Sequence, residues 1–259
     1  MVHAATGGGE DTGARIETAR FDALLFDLDG VITQSMGLHA DSWRAMFDEF
    51  LAHRAEEDGR PQPHFDIESD YRNYVDGKPR YDGVRAFLES RDIALPQGDP
   101  TDPPEALTIC GLGNRKNVLF QELLTERGAK VYPASVALLH TARAAGMFTA
   151  VVSSSKNCLL ILEKAGLVDL FHVRVDGTHV EAQGMPGKPA PDMFLQAARQ
   201  LDVPPERAVV FEDALSGVEA GRQGGFGLVV GVDRLGQAAD LLAHGADVVV
   251  ADLDEVALV

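Results

Sequence analysis

The chain has 259 residues, enough for one large domain or two small ones, and its 45% hydrophobic content is ordinary for a globular protein. Its net charge of −17 argues against a nucleic-acid partner or an anionic membrane surface, because both favour basic proteins. No apolar run approaches the roughly 20 residues needed to span a bilayer. We therefore expect no nucleic-acid and no membrane partner, although a locally basic pocket could still bind an anionic small molecule.

The first 20 residues contain a glycine triplet at positions 7–9 and mixed charges, but no apolar segment. This composition lacks the apolar centre of a secretory signal, and it predicts a disordered lead over residues 1–20. The only two cysteines, Cys110 and Cys158, do not suggest a disulfide framework. Together these features predict a protein of the reducing cytoplasm.

Residues 21–26 form an apolar run that predicts a buried strand of a parallel sheet. Asp27 and Asp29 follow it, directly before Gly30. Residues i and i+2 of a strand point the same way, so both carboxylates should project together from the strand's carboxyl end, a usual ligand position in open α/β sheets. Because close carboxylates repel each other, the pair indicates either a bound divalent cation or a proton held by one acid.

The next stretch is mainly helical in pattern and rich in aromatic and charged residues, and α/β alternation resumes after it. Strands are predicted at 148–152, 172–175, 208–211, 227–232 and 246–251. The helices between them are predicted at 133–145, 157–165, 191–201, 214–222 and 234–243. This alternation implies a three-layer, Rossmann-like α/β core with a parallel sheet. We predict that the core comprises residues 21–35 and 129–259, and that residues 36–128 form an inserted, mainly α-helical cap domain.

Two later segments carry polar groups just before predicted helices. In the segment 153–157, Ser-Ser-Ser-Lys-Asn, hydroxyls and backbone N–H groups form a natural anion site, although serines there are also ordinary helix caps. Lys188 lies in a loop stiffened by Pro189 and Pro191. A lone lysine is usually a solvated surface charge, but this rigid frame among acidic residues favours a functional role.

Glu212 and Asp213 close the apolar strand predicted at 208–211. They could be ordinary caps of the following helix. Together with Asp27 and Asp29, they could instead supply the hard oxygen ligands that suit Mg²⁺.

The order and spacing of these segments resemble the haloacid dehalogenase superfamily of phosphotransferases, from about residue 21 to residue 247. The resemblance implies that Asp27 is the nucleophile that accepts a phosphoryl group and that Asp29 is the general acid/base. It also implies that Ser153 and Lys188 hold the transferring phosphate. The Mg²⁺ ligands implied by the resemblance are Asp27, the backbone carbonyl of Asp29, and Asp213, with Glu212 close by.

The cap segment is similar to that of the beta-phosphoglucomutase-like family. His39 and Trp43 lie four residues apart, on one face of the first cap helix. Without the resemblance they would be a packing histidine and a core tryptophan; with it, His39 lies near the acid/base and Trp43 lines the sugar pocket. Arg80 corresponds to an arginine that grips the sugar's distal phosphate. The other substrate contacts implied are Gly77, Lys116, Asn117, Ser154, Ser155, Lys156 and Asn157.

The resemblance implies a mutase that interconverts β-D-glucose 1-phosphate and glucose 6-phosphate through an aspartyl phosphate and a β-glucose 1,6-bisphosphate. A sugar-phosphate phosphatase shares every core residue and remains the alternative. A non-catalytic binding protein on the same fold is a third hypothesis, which the intact acidic residues and lysine disfavour. The expected partner is a small-molecule sugar phosphate, and a monomer is favoured over an obligate oligomer. Extra cap segments near 55–66 and 95–108 leave the exact sugar open.

Overall fold

The structure, a computed structural model, describes residues 13–75 and 78–259. The chain divides into two compact units. Unit 1 runs to Ile32 and also includes Tyr132–Ser153 and Asp169–Val259, whereas unit 2 comprises Thr33–Val131 and Ser154–Val168. The predicted boundaries of core and cap at residues 36 and 128 stay a prediction.

Unit 1 is built on parallel strands with helices between them. Its strands are β1 Ala14–Ile16, β2 Ala23–Phe26, β3 Phe148–Val152, β4 Val173–Val175, β5 Ala208–Glu212, β6 Leu228–Val232, β7 Val248–Val250 and β8 Val256–Leu258. In unit 2 the α-helices are α1 Met36–Asp58, α2 Arg80–Ser90, α3 Ile109–Arg127 and α5 Cys158–Ala165, and Tyr71–Val75 form a π-helical turn. In unit 1 the α-helices are α4 Pro133–Ala144, α6 Gly177–Gln183, α7 Asp192–Leu201, α8 Leu215–Gln223 and α9 Ala238–Ala243.

The main sheet has six strands in the order β4-β3-β2-β5-β6-β7, and all its neighbours pair in parallel. This confirms the predicted α/β fold with a parallel sheet. All four residues of β2 are buried, as a strand covered on both faces requires. Phe26 pairs with Val151 of β3 and with Phe211 of β5, so Asp27 comes level with Val152 and Glu212. The carboxyl end of the central strand thus carries an acid beside two neighbouring strand ends.

The amino-terminal segment differs from its prediction. Residues 1–12 of the predicted disordered lead lie outside the described residues, but Ala14–Ile16 form β1, which pairs in parallel with β8. The amide of Thr18 also donates to the carbonyl of Val259 at 2.8 Å. The prediction of disorder is therefore wrong for this segment, because its partner strand lies about 240 residues away in the sequence and local pattern does not reveal it.

Two helices of unit 1 also differ from their predictions. The predicted helix at 234–243 begins only at Ala238, because the carboxylate of Asp233 accepts the N–H groups of Gln237 at 2.8 Å and Ala238 at 3.2 Å and so holds a loop. Helix α6 was not predicted. The carboxylate of Asp176 caps it by accepting the amide of Thr178 at 2.9 Å.

Unit 2 is helical, with an aromatic core of its own. Phe47 lies at the centre of this core, with ring centroids 4.0 Å from Phe87 and 5.2 Å from Phe65. Helix α3 begins at a cap in which the hydroxyl of Thr108 accepts the amide of Gly111 at 2.9 Å. The described part of the chain contains no helix that is both long and apolar enough to cross a membrane.

Candidate active site

Lys188 links the carboxyl ends of three neighbouring strands in unit 1. Its ammonium group donates to Asp27 Oδ1 at 2.7 Å, after β2, and to the carbonyl of Val152 at 2.9 Å, in β3. It also donates to Glu212 Oε1, at the end of β5. The lysine side chain is buried, as are both carboxylates. The structure therefore brings together the lysine and the acids that the sequence singles out.

Three carboxylates gather at this point. Asp27, Glu212 and Asp213 are buried, and each offers an oxygen within 4.8 Å of the others. Burial raises the pKa of Asp27 to about 8, and the charges of Glu212 and Asp29 add to this effect, whereas Lys188 opposes it. Burial also raises the pKa of Asp213, with further contributions from Asp27 and Glu212. The cluster thus holds more negative charge than its surroundings stabilise.

Lys188 offsets only part of that charge. Burial by itself would lower the pKa of its ammonium group, but the carboxylates of Asp27 and Glu212 outweigh burial and hold the pKa above its usual value. With all three carboxylates ionised, one protonated lysine would leave a net negative site, and burial together with this charge makes Asp27 and Asp213 hold their protons at raised pKa. A divalent cation fits it, because all three side-chain donors are hard oxygens, which Mg²⁺ and similar ions prefer. The donor set and the charge therefore match the expected metal.

Two glycines make room for the acids. A Cβ atom at Gly30 would overlap the carboxylate of Asp213, and a Cβ atom at Gly217 would overlap that of Glu212. Gly30 also has a φ of 92°, which favours glycine. Both positions leave space for a carboxylate rather than merely turning the chain. Sequence reasoning noted Gly30 but missed Gly217, because its neighbour is defined only by the fold.

Ser153 lies beside the second acid of the first motif. Its hydroxyl donates to Asp29 Oδ2 at 3.5 Å, a long contact, while its amide donates to the carbonyl of Val175 at 3.0 Å. Ser153 is buried and Asp29 is half-buried. A fixed serine and a partly exposed carboxylate thus share this edge of the sheet with Asp27.

A second polar group lies in unit 2. The side-chain oxygen of Asn117 accepts hydrogen bonds from Arg80 at 3.0 Å and from Asn157 at 2.8 Å. The side-chain oxygen of Asn157 in turn accepts from Gln121 at 3.0 Å, and the backbone N–H of Asn157 donates to the hydroxyl of Ser155 at 3.1 Å. Sequence reasoning missed Gln121, although its position four residues after Asn117 on α3 places both on one helix face.

Lys116 and His39 form a pair among aromatic rings in unit 2. The buried amine of Lys116 lies 2.8 Å from His39 Nδ1 and must be the donor, because an ammonium group has no acceptor. It lies 5.2 Å from the ring centre of Trp43 and 4.9 Å from that of Phe120, which also stacks on His39. Phe120 was not singled out from the sequence, since a phenylalanine in an amphipathic helix predicts only core packing.

The remaining predicted substrate contacts fall elsewhere. Ser154 and Lys156 have exposed side chains between Ser153 and Asn157. Gly77 lies outside the described residues. The catalytic and binding roles assigned to all these residues, including the metal ligation by the carbonyl of Asp29, stay predictions.

Comparisons with known proteins place the chain in a family. A family profile described as haloacid dehalogenase-like hydrolase matches residues 21–225. The chain belongs to the haloacid dehalogenase superfamily. Among curated members, the beta-phosphoglucomutase of Mycobacterium bovis is 53% identical over 236 residues, which cover 90% of each protein. The Bacillus subtilis beta-phosphoglucomutase is 32% identical, over 91% of this chain and 92% of its own length.

A solved structure supports the same placement. A haloacid dehalogenase family hydrolase from Deinococcus radiodurans, with bound phosphate and sodium, is 31% identical with a TM-score of 0.66. The match covers 92% of this chain and 93% of that one. These relatives confirm the predicted membership of the beta-phosphoglucomutase-like family, a family of phosphomutases. They also confirm that this haloacid dehalogenase superfamily member is an enzyme.

Proposed function

We propose that this enzyme is a beta-phosphoglucomutase that interconverts β-D-glucose 1-phosphate and glucose 6-phosphate. The observation that carries the proposal is the second polar group, in which Asn117 holds Arg80 and Asn157. For phosphoryl transfer itself, the acids, the lysine and the serine of unit 1 suffice, together with the metal that the acids would hold. A mutase must in addition recognise a second phosphate, because its intermediate carries two. The 53% identity to a curated beta-phosphoglucomutase supports the same function.

In this proposal the reaction uses Asp27 as the nucleophile. Phosphorylated Asp27 donates its phosphoryl group to the free hydroxyl of the glucose monophosphate, and Asp29 takes the hydroxyl proton. The product is the β-glucose 1,6-bisphosphate. The other phosphate of the bisphosphate is then attacked by Asp27, its bond to the sugar oxygen breaks, and Asp29 returns the proton to that oxygen. At the end of each cycle Asp27 is again phosphorylated and Asp29 has returned to its starting protonation state.

Lys188 and Ser153 hold the transferring group. The three N–H groups of Lys188 are donated to Asp27, Glu212 and the carbonyl of Val152, so its positive charge is held beside the nucleophile, and one of these bonds would be exchanged for a bond to a phosphoryl oxygen. Mg²⁺ held by Asp27, Asp213 and the carbonyl of Asp29, with Glu212 beside them, would supply the positive charge that neutralises the cluster and the transferring group. The buried carboxylate cluster is the support for this metal.

Arg80 serves the second phosphate. A guanidinium whose plane is held by an amide suits two-point binding of phosphate oxygens, since less side-chain freedom is lost on binding. Lys116 adds a second cation, whose position among His39, Trp43 and Phe120 is fixed by packing. A sugar ring suits contacts with such aromatic and amine groups.

A sugar-phosphate phosphatase is the second candidate function. It would use the same Asp27, Asp29, Ser153 and Lys188, and it would differ in letting water attack the aspartyl phosphate. Release of inorganic phosphate as the main product, with a short-lived phosphoenzyme, would favour it. A long-lived phosphoenzyme that reacts with a sugar hydroxyl favours the mutase.

We further propose a monomeric cytoplasmic enzyme whose partner is the sugar phosphate, with no nucleic-acid or membrane partner. The net charge of −17 supports the last point, since nucleic acids and anionic membranes attract basic proteins. The two cysteines, Cys110 and Cys158, are both buried and neither forms a disulfide, in keeping with a reducing compartment. Sedimentation of the purified protein at several concentrations measures the oligomeric state.

The decisive experiment supplies Mg²⁺, a trace of β-glucose 1,6-bisphosphate, and either the α or the β anomer of glucose 1-phosphate. Glucose 6-phosphate and inorganic phosphate are measured side by side. We expect glucose 6-phosphate from the β anomer, little from the α anomer, and loss of the activity in Asp27→Asn. Inorganic phosphate as the dominant product from either anomer would contradict the proposal.

A further inference from the structure

Arg234 lies in the loop after β6 and contacts the backbone of the segment after β2. Its Nε donates to the carbonyl of Gly30 at 2.9 Å, and its two Nη atoms donate to the carbonyl of Ala251 at 3.1 Å and to Asp252 at 2.8 Å. The guanidinium carbon lies over the ring of Tyr132, 3.6 Å from its centre. Only 9% of the arginine side chain is exposed, so this is a fixed contact rather than a surface charge.

The loop that contains Arg234 also contacts the acidic segment after β5. The side-chain amide of Gln237 donates to the backbone carbonyl of Asp213 at 3.0 Å. Asp213 in turn packs its carboxylate into the space that the missing Cβ atom of Gly30 leaves. Residues 233–237 thus contact both backbone segments whose relative position sets where the Asp213 carboxylate lies.

The loop is itself rigidly built. The carboxylate of Asp233 accepts the amide N–H groups of Leu235 at 3.3 Å, Gln237 at 2.8 Å and Ala238 at 3.2 Å. The amide of Asp233 donates to the carbonyl of Val250 at 2.8 Å, which ties the loop to β7. A loop held at its start by a strand and along its length by one carboxylate can fix the groups that it contacts.

We propose that residues 233–237 form a positioning element for the acidic site, in which Arg234 fixes the backbone at Gly30 and Gln237 fixes the backbone at Asp213. Their combined effect is to aim the Asp213 carboxylate at the cluster with Asp27. Neither residue touches the reacting atoms. The inference rests on the proposed function, because it takes these acids as the groups that bind Mg²⁺ and transfer phosphate.

The test compares Arg234→Gln, Arg234→Lys and Gln237→Met with Asp252→Asn. Asp252→Asn removes the charged partner of Arg234 but leaves the contact with Gly30. This control therefore measures how much the ion pair of Arg234 contributes to stability apart from the positioning of Gly30. Mg²⁺ affinity is measured by calorimetric titration of the metal-free protein, together with thermal unfolding in EDTA and the kcat and KM of the mutase reaction.

Loss of groups that orient metal ligands typically weakens metal affinity or activity by roughly 10–100-fold. We expect Arg234→Gln and Gln237→Met to weaken Mg²⁺ binding by at least about tenfold and to lower kcat, with the KM for sugar phosphate unchanged. Arg234→Lys should recover part of the affinity, because one ammonium donor can still reach a carbonyl. Asp252→Asn should lower the unfolding temperature while keeping wild-type Mg²⁺ affinity.

Wild-type Mg²⁺ affinity in both Arg234→Lys and Gln237→Met would overturn the positioning role, even if Arg234→Gln fails to fold. Equal losses of affinity in Arg234→Gln and Asp252→Asn would overturn it as well. If the wild type binds Mg²⁺ but makes no glucose 6-phosphate, the proposed function fails while the affinities still decide the positioning role. If the wild type binds no Mg²⁺, both proposals fail.

Discussion

The carboxylate of Asp213 occupies the space beside Gly30 in which the Cβ atom of any other residue would stand. The two residues come from different segments, one after β2 and one after β5. Their contact therefore joins the first acidic motif to the last, and it depends on the absence of a single methyl group. Gly30 allows the chain to turn with a positive φ. It also leaves the space that the Asp213 carboxylate occupies.

Replacing Gly30 with alanine should therefore damage the site more than the fold. The positive φ alone costs roughly 1–2 kcal/mol of stability for a residue with a Cβ atom, and the methyl group must also displace the Asp213 carboxylate. We expect weaker Mg²⁺ binding by calorimetry and a large loss of kcat. Gly37→Ala is the matched control, because a Cβ atom there meets nothing within 4 Å, and it should keep both properties. Unchanged Mg²⁺ affinity in Gly30→Ala would refute the packing argument.

Replacing Lys188 with methionine should leave Asp27 and Glu212 buried without their cation. Removing one partner of a buried ion pair typically costs about 3–5 kcal/mol of unfolding free energy. Urea unfolding of metal-free Lys188→Met should show a loss of that order, and phosphoryl transfer should disappear. The exposed Lys164→Met in α5 should change the free energy by less than about 0.5 kcal/mol. A loss as small as that of the control would mean that the lysine does not stabilise the acids.

The raised pKa of Asp27 predicts how the stability of the metal-free protein varies with pH. Its folded pKa of about 8 exceeds the usual 3.8, so the folded state binds the proton more tightly than the unfolded state does. The stability that this group contributes is present below the lower value and is lost as pH rises through the folded pKa. Compared with Asp27→Asn in EDTA, wild-type unfolding temperature should fall from about pH 5 to about pH 8.

Saturating Mg²⁺ should reverse most of that trend, because the cation favours the ionised acids and competes with protons. The unfolding temperature is measured with EDTA and with Mg²⁺ at each pH. The increase produced by Mg²⁺ should be larger at about pH 8 than at about pH 6. An increase that does not depend on pH would show that the metal does not bind at the acids whose pKa is raised.

Arg80 tests the second-phosphate site. In Arg80→Lys a single ammonium group replaces the fork held by Asn117, so two-point contact with phosphate is lost. We expect the KM for β-glucose 1-phosphate to rise about tenfold, which corresponds to about 1.4 kcal/mol of binding. Arg115→Lys alters a partly exposed ion pair between Arg115 of α3 and Glu49 of α1, and it should leave KM unchanged. Equal KM values for the two variants would argue against a phosphate at Arg80.

Local pattern predicted much of the core and less of the site. The strand at 148–152 has the predicted bounds, because a mainly apolar run between Gly146 and Ser153 is a local signal. The partners of Lys188 required the fold, since Asp27 and Glu212 are 185 positions apart and meet only through sheet register. Residues 234–237 were predicted as the start of a helix because their composition allows one, but the carboxylate of Asp233 holds them in a loop. Gly217 was not predicted as a site residue, because its contact with the carboxylate of Glu212 is defined only by the fold.

The place of β2 in the sheet has a consequence for synthesis of the protein. Strand β2, which precedes Asp27, is synthesised long before β5, yet its two neighbours in the sheet are β3 and β5, so its second edge stays bare until residue 212 has been made. A nascent or truncated chain ending earlier exposes Ala23–Phe26, which is fully buried in the finished sheet. Bare apolar strand edges recruit other chains. A chain that terminates before β5 should therefore be bound by chaperones or degraded by proteases, and it should not persist as a less active enzyme.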